Sequence, residues 1–476
     1  MKTIMWFRQD LRLTDNPALL DAVNCGTIIP IYILDDSNAG PFKIGAASRV
    51  WLHNSLSKLN TALNGNLKFF EGSASEILFK IIADTKAEKL VWTRCYEPWR
   101  MARDTAIKNQ IRQLGVEVKS FSGSLLWEPH LINKPDGTHY RVFTPFYQRG
   151  CLSGQPPRKP LTAPAEIHYA SDVDVVITSE QTLDELNLLP SQNWHKAFLD
   201  EWNIGEEGAQ QALDTFLMNG LSSYKLGRNI PSQKSVSRLS PRFHFGEISP
   251  NQAWYAAQHI FEPGDSNLDS FLSELGWREF SHYLNYHYKT LADKNLNPKF
   301  DSFAWINTPE ILKAWQQGIT GYPIVDAGMR ELYSTGYMHN RVRMIVGSFL
   351  VKNLLQHWHH GRDWFFDCLV DADLCVNSAS WQWIAGCGAD AAPYFRIFNP
   401  VTQGEKFDGD GIYTRKWVPE LINLPNKFLF CPWQAPPEIL KQSGVELGKT
   451  YPNPIINLAD SRARALEAFS MLPKSK

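Results

Sequence analysis

The first 125 residues alternate between short apolar stretches and longer amphipathic ones. The short stretches are rich in β-branched and aromatic residues and are residues 3–8, 27–34, 67–72, 89–94 and 116–121. Between them, apolar residues recur at three- and four-residue steps, which is the spacing of a helix with one buried face. Strands that alternate with helices predict an α/β fold with a doubly wound, Rossmann-like parallel sheet. No G-x-G-x-x-G sequence follows the first strand, so the usual dinucleotide-binding motif is absent.

The rest of the chain has a different pattern. Residues 153–166 are rich in proline, glycine and serine and predict a connector between domains. From about residue 205 onward, apolar residues recur almost throughout at helical steps, and the intervening loops carry proline, glycine and aspartate. The sequence therefore predicts an α/β domain over 1–128, a linker over 129–204 and an all-α domain over 205–476.

Composition restricts the class of protein. The chain has 476 residues, 43% of them hydrophobic and 20% charged, which is typical of a globular protein with more than one domain. Apolar stretches such as 27–34 are too short to cross a bilayer and the N-terminus lacks a signal-peptide pattern, so we expect a cytoplasmic protein without a membrane partner. Seven scattered cysteines favour free thiols and argue against disulfides or a structural metal site. The net charge of −1 argues against general polyanion binding but allows a local basic patch.

Tryptophan is unusually frequent, with 17 residues in the chain. A buried tryptophan needs a partner for its N–H, so it is a demanding way to fill an ordinary core. The surplus indicates stacking on a planar ligand, stacking on bases, or electron transfer.

Two segments combine basic residues with hydroxyl or aromatic groups. In 226–250, basic side chains alternate with serines before a helix expected to begin at Ser249, which fits either a phosphate site or a solvated loop with serine caps. In a second segment, Glu274, Trp277 and Arg278 share one helix face. That face suits a base edge, a stacked base and a phosphate, or else a buried tryptophan beside a Glu–Arg pair.

Two further segments place polar residues inside apolar helices. Asn340, Arg343 and Met344 share a face, and arginines in such a helix need acidic or phosphate partners. If another helix starts near Asp373, then Asp373, Asn377 and Trp381 line up toward a ligand, or else serve as a cap and ordinary packing. The histidines that follow residue 356 lack the spacing of a zinc-binding helix, and we expect them to cap or face solvent. These are His357, His359 and His360.

The motifs together resemble the photolyase/cryptochrome family over nearly the whole chain, and most closely its bacterial members that repair cyclobutane pyrimidine dimers in DNA. The matching stretches are residues 6–19, 95–104, 237–250, 275–280, 320–344, 364–383 and 390–408.

The resemblance implies FAD bound by the helical domain. The residues implied to bind FAD are Tyr224, Val236, Ser237, Arg238, Leu239, Ser240, Glu274, Trp277, Arg278, Ser281, Asn340, Arg343, Asp371, Asp373 and Asn377. Within this set, Arg343 and Asp371 would form an ion pair, and Asn377 would face flavin N5. A neutral amide hydrogen-bonds to N5 without supplying a ready proton, which suits an anionic reduced flavin.

The resemblance also implies an electron-transfer chain of Trp381, Trp358 and Trp305, and a monomeric enzyme acting on UV-damaged DNA. Photoexcited reduced FAD would give an electron to a flipped-out dimer and recover it after the ring splits. The residues implied to act in catalysis are Glu274, Asn377, Trp305, Trp358 and Trp381. Those implied to contact DNA are Arg228, Glu274, Trp277, Asn340, Arg341, Met344, Trp383 and Gln403.

Several positions depart from the family pattern. Residues 95–104 lack the Asn-Glu pair of the best-known folate-binding bacterial enzymes. The resemblance still favours methenyltetrahydrofolate as an antenna over a deazaflavin, stacked on Trp51 or Trp99, and leaves open that there is no antenna. Val236 replaces a frequent threonine. Asn340 stands where (6-4) photolyases have histidine, and the absence of a long tail argues against a blue-light photoreceptor cryptochrome. A flavoprotein that binds nucleic acid without repairing it is a third alternative.

Overall fold

The computed structural model describes residues 1–171, 179–391 and 395–473. By their contacts the residues form two compact units. The first unit consists of Met1–Ser222, Ser237–Lys289 and Val370–Leu374, and the second of Ser223–Val236, Thr290–Leu369 and Cys375–Lys476. The domain limits at 128 and 204 stay a prediction.

The first unit contains a five-stranded parallel sheet. Its strands are β1 (Lys2–Phe7), β2 (Thr27–Leu34), β3 (Lys68–Glu71), β4 (Lys89–Thr93) and β5 (Glu117–Phe121). Their order is β3-β2-β1-β4-β5, so the chain reverses direction across the sheet between β1 and β4. The predicted doubly wound sheet is confirmed, and each predicted strand agrees with the observed one to within one residue at either end.

The strands are apolar because both faces of the sheet are covered. In β1 the five residues after Lys2 are all buried, and in β2 the seven after Thr27 are buried. Residues such as Ile4, Trp6, Ile31 and Trp92 form part of one continuous core. The helices between the strands are Pro17–Asn24, Ala46–Ala62, Ala74–Thr85 and Pro98–Gln113.

The remainder of the first unit contains helices joined by long irregular segments. Its helices are Phe143–Pro145, Phe146–Leu152 (a π-helix), His195–Leu199, Glu206–Asn219, Ser240–Phe245, Pro250–Gln258 and Ser266–His287. Ser249 caps the helix Pro250–Gln258, with its hydroxyl accepting from the Gln252 N–H and the Gln252 side chain accepting from the Ser249 N–H. This confirms the predicted helix start at Ser249.

Buried charges tie the connector to the sheet. Asp15, at the end of the loop after β1, accepts hydrogen bonds from Arg158 (2.6 Å), from the Leu161 N–H (2.8 Å) and from the Ser249 hydroxyl. Arg12 donates to the Gly123 and Gly246 carbonyls at 2.8 Å each. These two charged side chains can be buried because each has hydrogen-bonding partners in the interior.

The second unit is helical in its described residues. Its helices are Tyr224–Gly227, Pro309–Gln317, Pro323–Thr335, Asn340–Ser348, Phe349–Asn353 (a π-helix), Trp358–Cys368, Leu374–Ala385, Pro400–Phe407, Ile412–Trp417, Asn426–Leu429, Pro437–Gln442 and Leu458–Ser470. Leu374–Ala385 begins where the sequence predicts a helix, directly after Asp373. Among the residues described in either unit, no helix combines the length and apolar character needed to cross a membrane.

Candidate functional site

The predicted site residues are divided between the two units. Those in the first unit are Ser237, Arg238, Leu239, Ser240, Glu274, Trp277, Arg278, Ser281, Asp371 and Asp373. Those in the second unit are Tyr224, Arg228, Val236, Trp305, Asn340, Arg341, Arg343, Met344, Trp358, Asn377, Trp381, Trp383 and Gln403. The predicted Arg343–Asp371 pair joins residues of different units and stays a prediction.

In the first unit, the helix Ser266–His287 presents a half-buried aromatic ring. Trp277 stacks on Phe143 with ring centroids 3.9 Å apart and an interplanar angle of 12°. Arg278 pairs with its buried neighbour Glu279 at 3.0 Å, and the Ser281 hydroxyl donates to the Trp277 carbonyl. One face of the indole is therefore held by another ring, which fixes its orientation as a stacking platform.

Asp371 and Asp373 have polar partners within the first unit. Asp371 accepts a hydrogen bond from the Ser240 hydroxyl at 2.6 Å. The Asp373 carboxylate lies 3.4 Å from His282 Nε2 and 3.9 Å from His244 Nδ1. Burial opposes ionisation of Asp373, but the two imidazoles outweigh it and hold the pKa of this carboxyl well below its usual range.

His244 and His282 are the functional candidates that sequence reasoning missed. His244 lies in the basic segment 226–250, and His282 follows Arg278 by one helical turn on Ser266–His287. In the sequence, only the one-turn spacing from Arg278 could have indicated His282. Asp373 is too remote in sequence from both histidines to indicate either contact.

The predicted phosphate loop has a strained residue at its centre. Arg238 has φ = 51°, in the left-handed region that non-glycine residues seldom adopt. Its guanidinium lies 4.1 Å from the centre of the Trp202 ring and 3.7 Å from Glu201. Beside it the Leu239 N–H donates to the Ser237 hydroxyl. Backbone strain that is held by several contacts is common where a loop has a binding role.

In the second unit, the helix Asn340–Ser348 carries two arginines with different partners. Arg341 donates to the Asn229 side chain and lies 4.4 Å above the Phe407 ring. Arg343 donates to the Met338 carbonyl at 2.7 Å. Burial, reinforced by Arg343, Arg341 and Arg228, lowers the pKa of the capping residue His339 to about 4.

The other DNA-contact candidates of the second unit occupy varied surroundings. The Arg228 guanidinium lies 5.6 Å from the centre of the Tyr224 ring. Gln403 belongs to the helix Pro400–Phe407 and is half-buried, as is Met344, whereas Asn340 is exposed.

Asn377 is buried and has a defined orientation. Its amide nitrogen donates to the Arg362 carbonyl at 3.0 Å, so its amide oxygen is the atom left to accept from a ligand. The next residue, Ser378, is fully buried. Among the described residues, neither the Ser378 hydroxyl nor His339 Nε2 has a hydrogen-bond partner. Buried polar atoms usually have one, so these groups fit a bound polar cofactor such as FAD.

Trp383 lines a pocket in the second unit, together with Lys352 and Arg396. Its indole N–H donates to the Asp390 carbonyl at 3.2 Å. The Lys352 side-chain nitrogen donates to the Ala385 carbonyl at 2.9 Å, at the end of the helix that carries Trp383. The ring is thus fixed beside basic side chains. Residues 392–394, within the matching stretch 390–408, lie outside the described residues.

The three tryptophans of the predicted electron chain differ in exposure. Trp381 (3% exposed) and Trp358 (0%) are buried, whereas Trp305 is half-buried. Trp358 donates its N–H to Asn295 at 2.9 Å. Trp381 packs so closely on Gly361 that a Cβ there would come within 2.1 Å of the ring. Trp305 is therefore the most exposed of the three, as the solvent end of a route from a buried cofactor requires.

The two tryptophans named for an antenna have opposite surroundings. Trp51 is completely buried, donates to Glu247 at 2.9 Å and contacts the rings of Trp202 and Phe245. Its ring has no face open to a folate, so the expectation for Trp51 is wrong in this conformation. Trp99 is half-buried, and the guanidinium groups of Arg100 and Arg103 lie 4.9 and 5.0 Å from its ring centre.

Comparison with known families assigns both regions of the chain. Residues 3–165 match the family described as DNA photolyase, and residues 271–471 match the FAD binding domain of DNA photolyase. A deoxyribodipyrimidine photo-lyase of Agrobacterium fabrum is 47% identical over 99% of this chain and 98% of its own. The chain therefore belongs to the photolyase/cryptochrome family.

Individual relatives cover almost all of the chain. The crystal structure of a bacterial class III photolyase from Agrobacterium tumefaciens superposes with a TM-score of 0.93 at 46% identity, and covers 98% of this chain and 97% of that one. Cryptochrome-1 of Arabidopsis thaliana is 35% identical over 99% of this chain and 70% of its own. The bacterial relative that is called a photo-lyase is thus more similar than this plant cryptochrome.

Proposed function

We propose that the protein is a light-dependent deoxyribodipyrimidine photo-lyase that uses reduced FAD to split cyclobutane pyrimidine dimers in DNA. The observation that carries this proposal is the 47% identity to a bacterial deoxyribodipyrimidine photo-lyase along nearly the full length of both chains. Bound FAD supplies the chemistry of one-electron transfer, and the protein supplies binding, orientation and electrostatics.

The residues proposed to bind FAD have distinct tasks. Asp373, kept ionised by His282 and His244, provides a fixed negative charge that accepts hydrogen bonds. The Ser237–Ser240 segment provides hydroxyls and backbone N–H groups for phosphate. Tyr224, Val236 and Asn340 complete the set taken from the family motif.

Asn377 sets the protonation environment of the proposed flavin. Because its amide nitrogen is bound to the Arg362 carbonyl, its oxygen can accept from an N–H of the cofactor but has no acidic proton to give. A carboxylic acid at this position could donate a proton. Asn377 therefore supports a mechanism in which the flavin transfers an electron without receiving a proton from this side chain.

Damaged DNA is proposed to contact both polar and aromatic side chains. Glu274 would accept from a base edge, and Trp277, supported by Phe143, would stack on the extruded dimer. Arg228, Arg341 and Gln403 would contact the backbone or damage site, and Met344 and Trp383 would enclose the dimer. Extruding a damaged base costs less than extruding a paired one, which favours the lesion.

Light-driven reduction of the flavin is proposed to use Trp381, Trp358 and Trp305 in that order. All three belong to the second unit, and the last is the most exposed. An external reductant would restore Trp305 from solvent.

The antenna and the cellular setting are separate proposals. Methenyltetrahydrofolate is favoured over a deazaflavin, with Trp99 as the stacking candidate because its ring is partly exposed and flanked by two arginines. A monomeric state and a cytoplasmic location remain predictions from the sequence and the family resemblance.

One experiment tests the main proposal. The purified protein is examined for flavin absorption, reduced, mixed with an oligonucleotide that contains a thymine dimer, and illuminated. We expect restored thymine absorbance only in the light. Flavin absorption without restored thymines would contradict repair and favour the cryptochrome alternative, which the similarity to Cryptochrome-1 supports.

A pair of variants tests the proposed lesion contact. Trp277→Ala should weaken binding of dimer-containing DNA by about tenfold or more, since stacking contributes ~1–3 kcal/mol per base. Trp194→Ala is the control, because Trp194 is 41% exposed and lies outside the predicted set. Equal affinities of the two variants would contradict the assigned role of Trp277.

A further inference from the structure

Lys352 is a buried lysine that pairs with no carboxylate among the described residues. It belongs to the π-helix Phe349–Asn353 and is 1% exposed. Its side-chain nitrogen donates to the Ala385 carbonyl at 2.9 Å and lies 3.2 Å from the centre of the Phe395 ring. Burial lowers the pKa of Lys352 well below its usual range. Because burying an amine without a counter-charge is costly, these two contacts are what the side chain offers in return.

The two contacts join the end of a helix to the loop that follows it. Ala385 is the last residue of Leu374–Ala385, and Phe395 lies in the loop beyond it. Between them, Gly386 has φ = 94°, and a Cβ there would lie 3.3 Å from the Lys352 nitrogen and 3.4 Å from the Phe395 ring. A lysine nitrogen has several N–H donors, so it can serve a carbonyl and a ring face together. The nitrogen, the ring and the turn after the helix therefore meet at one point.

The same loop is attached at two further points. The Trp383 indole N–H donates to the Asp390 carbonyl at 3.2 Å, and the Phe398 N–H donates to the Ser348 hydroxyl at 3.2 Å. Phe395 lies between these two attachments in the chain. Lys352 therefore holds the middle of the loop.

Trp383 is the proposed functional group that depends on this loop. Its ring is half-buried and lines a pocket with Lys352 and Asp390. In the part of the chain that the structure describes, the Asp390 carbonyl is the acceptor for the indole N–H. That carbonyl belongs to the loop, so its position depends on how the loop is held. A loop released from Lys352 would move the acceptor and leave the indole free to turn.

We propose that Lys352 is a positioning residue for the recognition of damaged DNA. It holds the loop after Ala385 in place, and the loop in turn fixes the orientation of the Trp383 ring. The inference rests on the proposed function, in which Trp383 encloses the extruded dimer. A ring that is already oriented binds more tightly, because it need not be ordered when the dimer arrives.

The first test replaces Lys352 by methionine, which keeps the length of the side chain and removes its donors. We expect the dissociation constant for an oligonucleotide with a thymine dimer to rise about tenfold in Lys352→Met, the order of one lost stacking contact. The repair rate of the reduced holoprotein at saturating dimer should stay within about twofold, because bound substrate orders the ring again. An unaltered dissociation constant would overturn the proposal.

A matched control is a second buried lysine. Lys89 is also 1% exposed, but it lies in the first unit and pairs with Asp21 at 2.5 Å. Lys89→Met should be less stable to urea yet keep the wild-type dissociation constant. An equal rise in both variants would show a general effect of losing a buried lysine and would overturn the proposal. Circular dichroism and flavin content verify that each variant is folded and loaded.

A second readout follows the Trp383 ring without DNA. In protein with labelled tryptophan, NMR measures how fast the indole N–H of Trp383 exchanges with solvent, with the signal assigned by its loss in Trp383→Phe. We expect exchange about tenfold or more faster in Lys352→Met. The Trp358 indole N–H, which donates to Asn295 at 2.9 Å, should exchange as in the wild type. Equal acceleration of both signals would indicate general loosening and overturn the proposal.

A double-variant cycle tests whether Lys352 acts through Phe395. Phe395→Leu should also raise the dissociation constant, and the double variant should lose less affinity than the sum of the two single losses, since both remove the same contact. Additive losses would overturn the assigned route.

The proposed function and this inference fail in different ways. If the wild-type holoprotein binds dimer-containing and undamaged oligonucleotides equally, the proposed function fails and the role of Lys352 in recognition fails with it. If the wild type prefers the dimer and Lys352→Met keeps that affinity, only this inference fails.

Discussion

Tryptophan rings make aromatic contacts in both units, but with different consequences. In the first unit, Trp6 and Trp92 meet edge to face at 5.7 Å and are 0% and 1% exposed. In the second unit, Trp358 and Trp305 each contact the His357 ring, and Trp305 is half-buried. Close rings alone therefore do not indicate an electron route. A route to solvent needs a terminal ring that an external donor can reach.

The packing around the two groups supports the same distinction. Trp6 and Trp92 are part of the sheet core, and the Arg8 guanidinium lies 4.7 and 5.8 Å from their ring centres. Arg8 is buried and paired with Asp104. The pair in the first unit is thus a structural element, whereas the second group leads to the surface.

The largest expected effect is the loss of flavin photoreduction when Trp305, but not Trp92, is replaced. Trp305→Phe should abolish light-driven reduction of oxidised flavin, because phenylalanine is far harder to oxidise than tryptophan. It should spare repair by protein that has already been reduced chemically. Flavin absorbance during blue illumination with an external reductant measures this. Trp92→Phe is the control, and its flavin should photoreduce normally. Loss of photoreduction in that variant as well would contradict the proposed difference between the sheet-core tryptophans and the electron route.

For the stability of the fold, the core residue Trp6 should matter more than the partly exposed Trp305. Trp6→Ala should lower the free energy of unfolding by about 3–5 kcal/mol, because it leaves a cavity in a closed core. Trp305→Ala should lower it by about 1 kcal/mol or less, because the ring is partly exposed. Urea unfolding followed by circular dichroism measures both. Equal losses would contradict a structural role that is specific to Trp6.

The third prediction concerns Glu247, which accepts the Trp51 N–H in the first unit. Burial raises the pKa of Glu247 to about 7, although Arg242 acts against the shift. A carboxyl with a raised pKa binds its proton more tightly in the folded state, so the contribution of Glu247 to stability is greatest at low pH and declines as pH rises from about 4.5 to 7. The decline should amount to about 3 kcal/mol.

Glu247→Gln should remove that part of the pH dependence, which urea unfolding at pH 5 and pH 8 can measure. Asp373→Asn provides a contrast of opposite sign, since the pKa of Asp373 is depressed and its contribution is lost as pH falls. An unaltered pH profile in Glu247→Gln would contradict the assignment.

The smallest expected effect tests how tightly Trp381 is held. A Cβ at Gly361 would come within 2.1 Å of the Trp381 ring, whereas one at Gly347 would lie 3.6 Å from it. Gly361→Ala should therefore cost about 1–3 kcal/mol of stability by overpacking and slow photoreduction. Gly347→Ala is the matched control, because its new methyl group makes ordinary contacts. Identical behaviour of the two would contradict the close packing on Gly361.

Much of the fold could be predicted because its signals are local. Strand and helix periodicity placed all five strands, and the Ser249-Pro250 pair identified a helix start that the capping box confirms. Asn377 and Trp381 were recognised as polar and aromatic groups of one helix, which the helix Leu374–Ala385 confirms. Their functional roles came from the whole-chain resemblance and remain proposals.

What could not be predicted depends on contacts between distant segments. Nothing in the sequence around Asp373 indicates that His282 and His244 hold its charge. Likewise the sequence offers Trp51 and Trp99 equally as antenna contacts. The Trp51 ring is buried against Trp202 and Phe245, whereas the Trp99 ring is partly exposed. Exposure and charge pairing are set by which segments pack together.

The sequence by itself determined the parallel sheet, the helical region and the set of residues that resemble a flavin-dependent repair enzyme, because periodicity and motif order are properties of the chain. Only the tertiary structure decided that Trp51 is closed and that Asp373 stays charged. It also brought the His357 imidazole into contact with both Trp358 and Trp305. The physical reason is that burial, electrostatic pairing and ring contacts depend on distances in space, which residues far apart in the chain acquire only on folding.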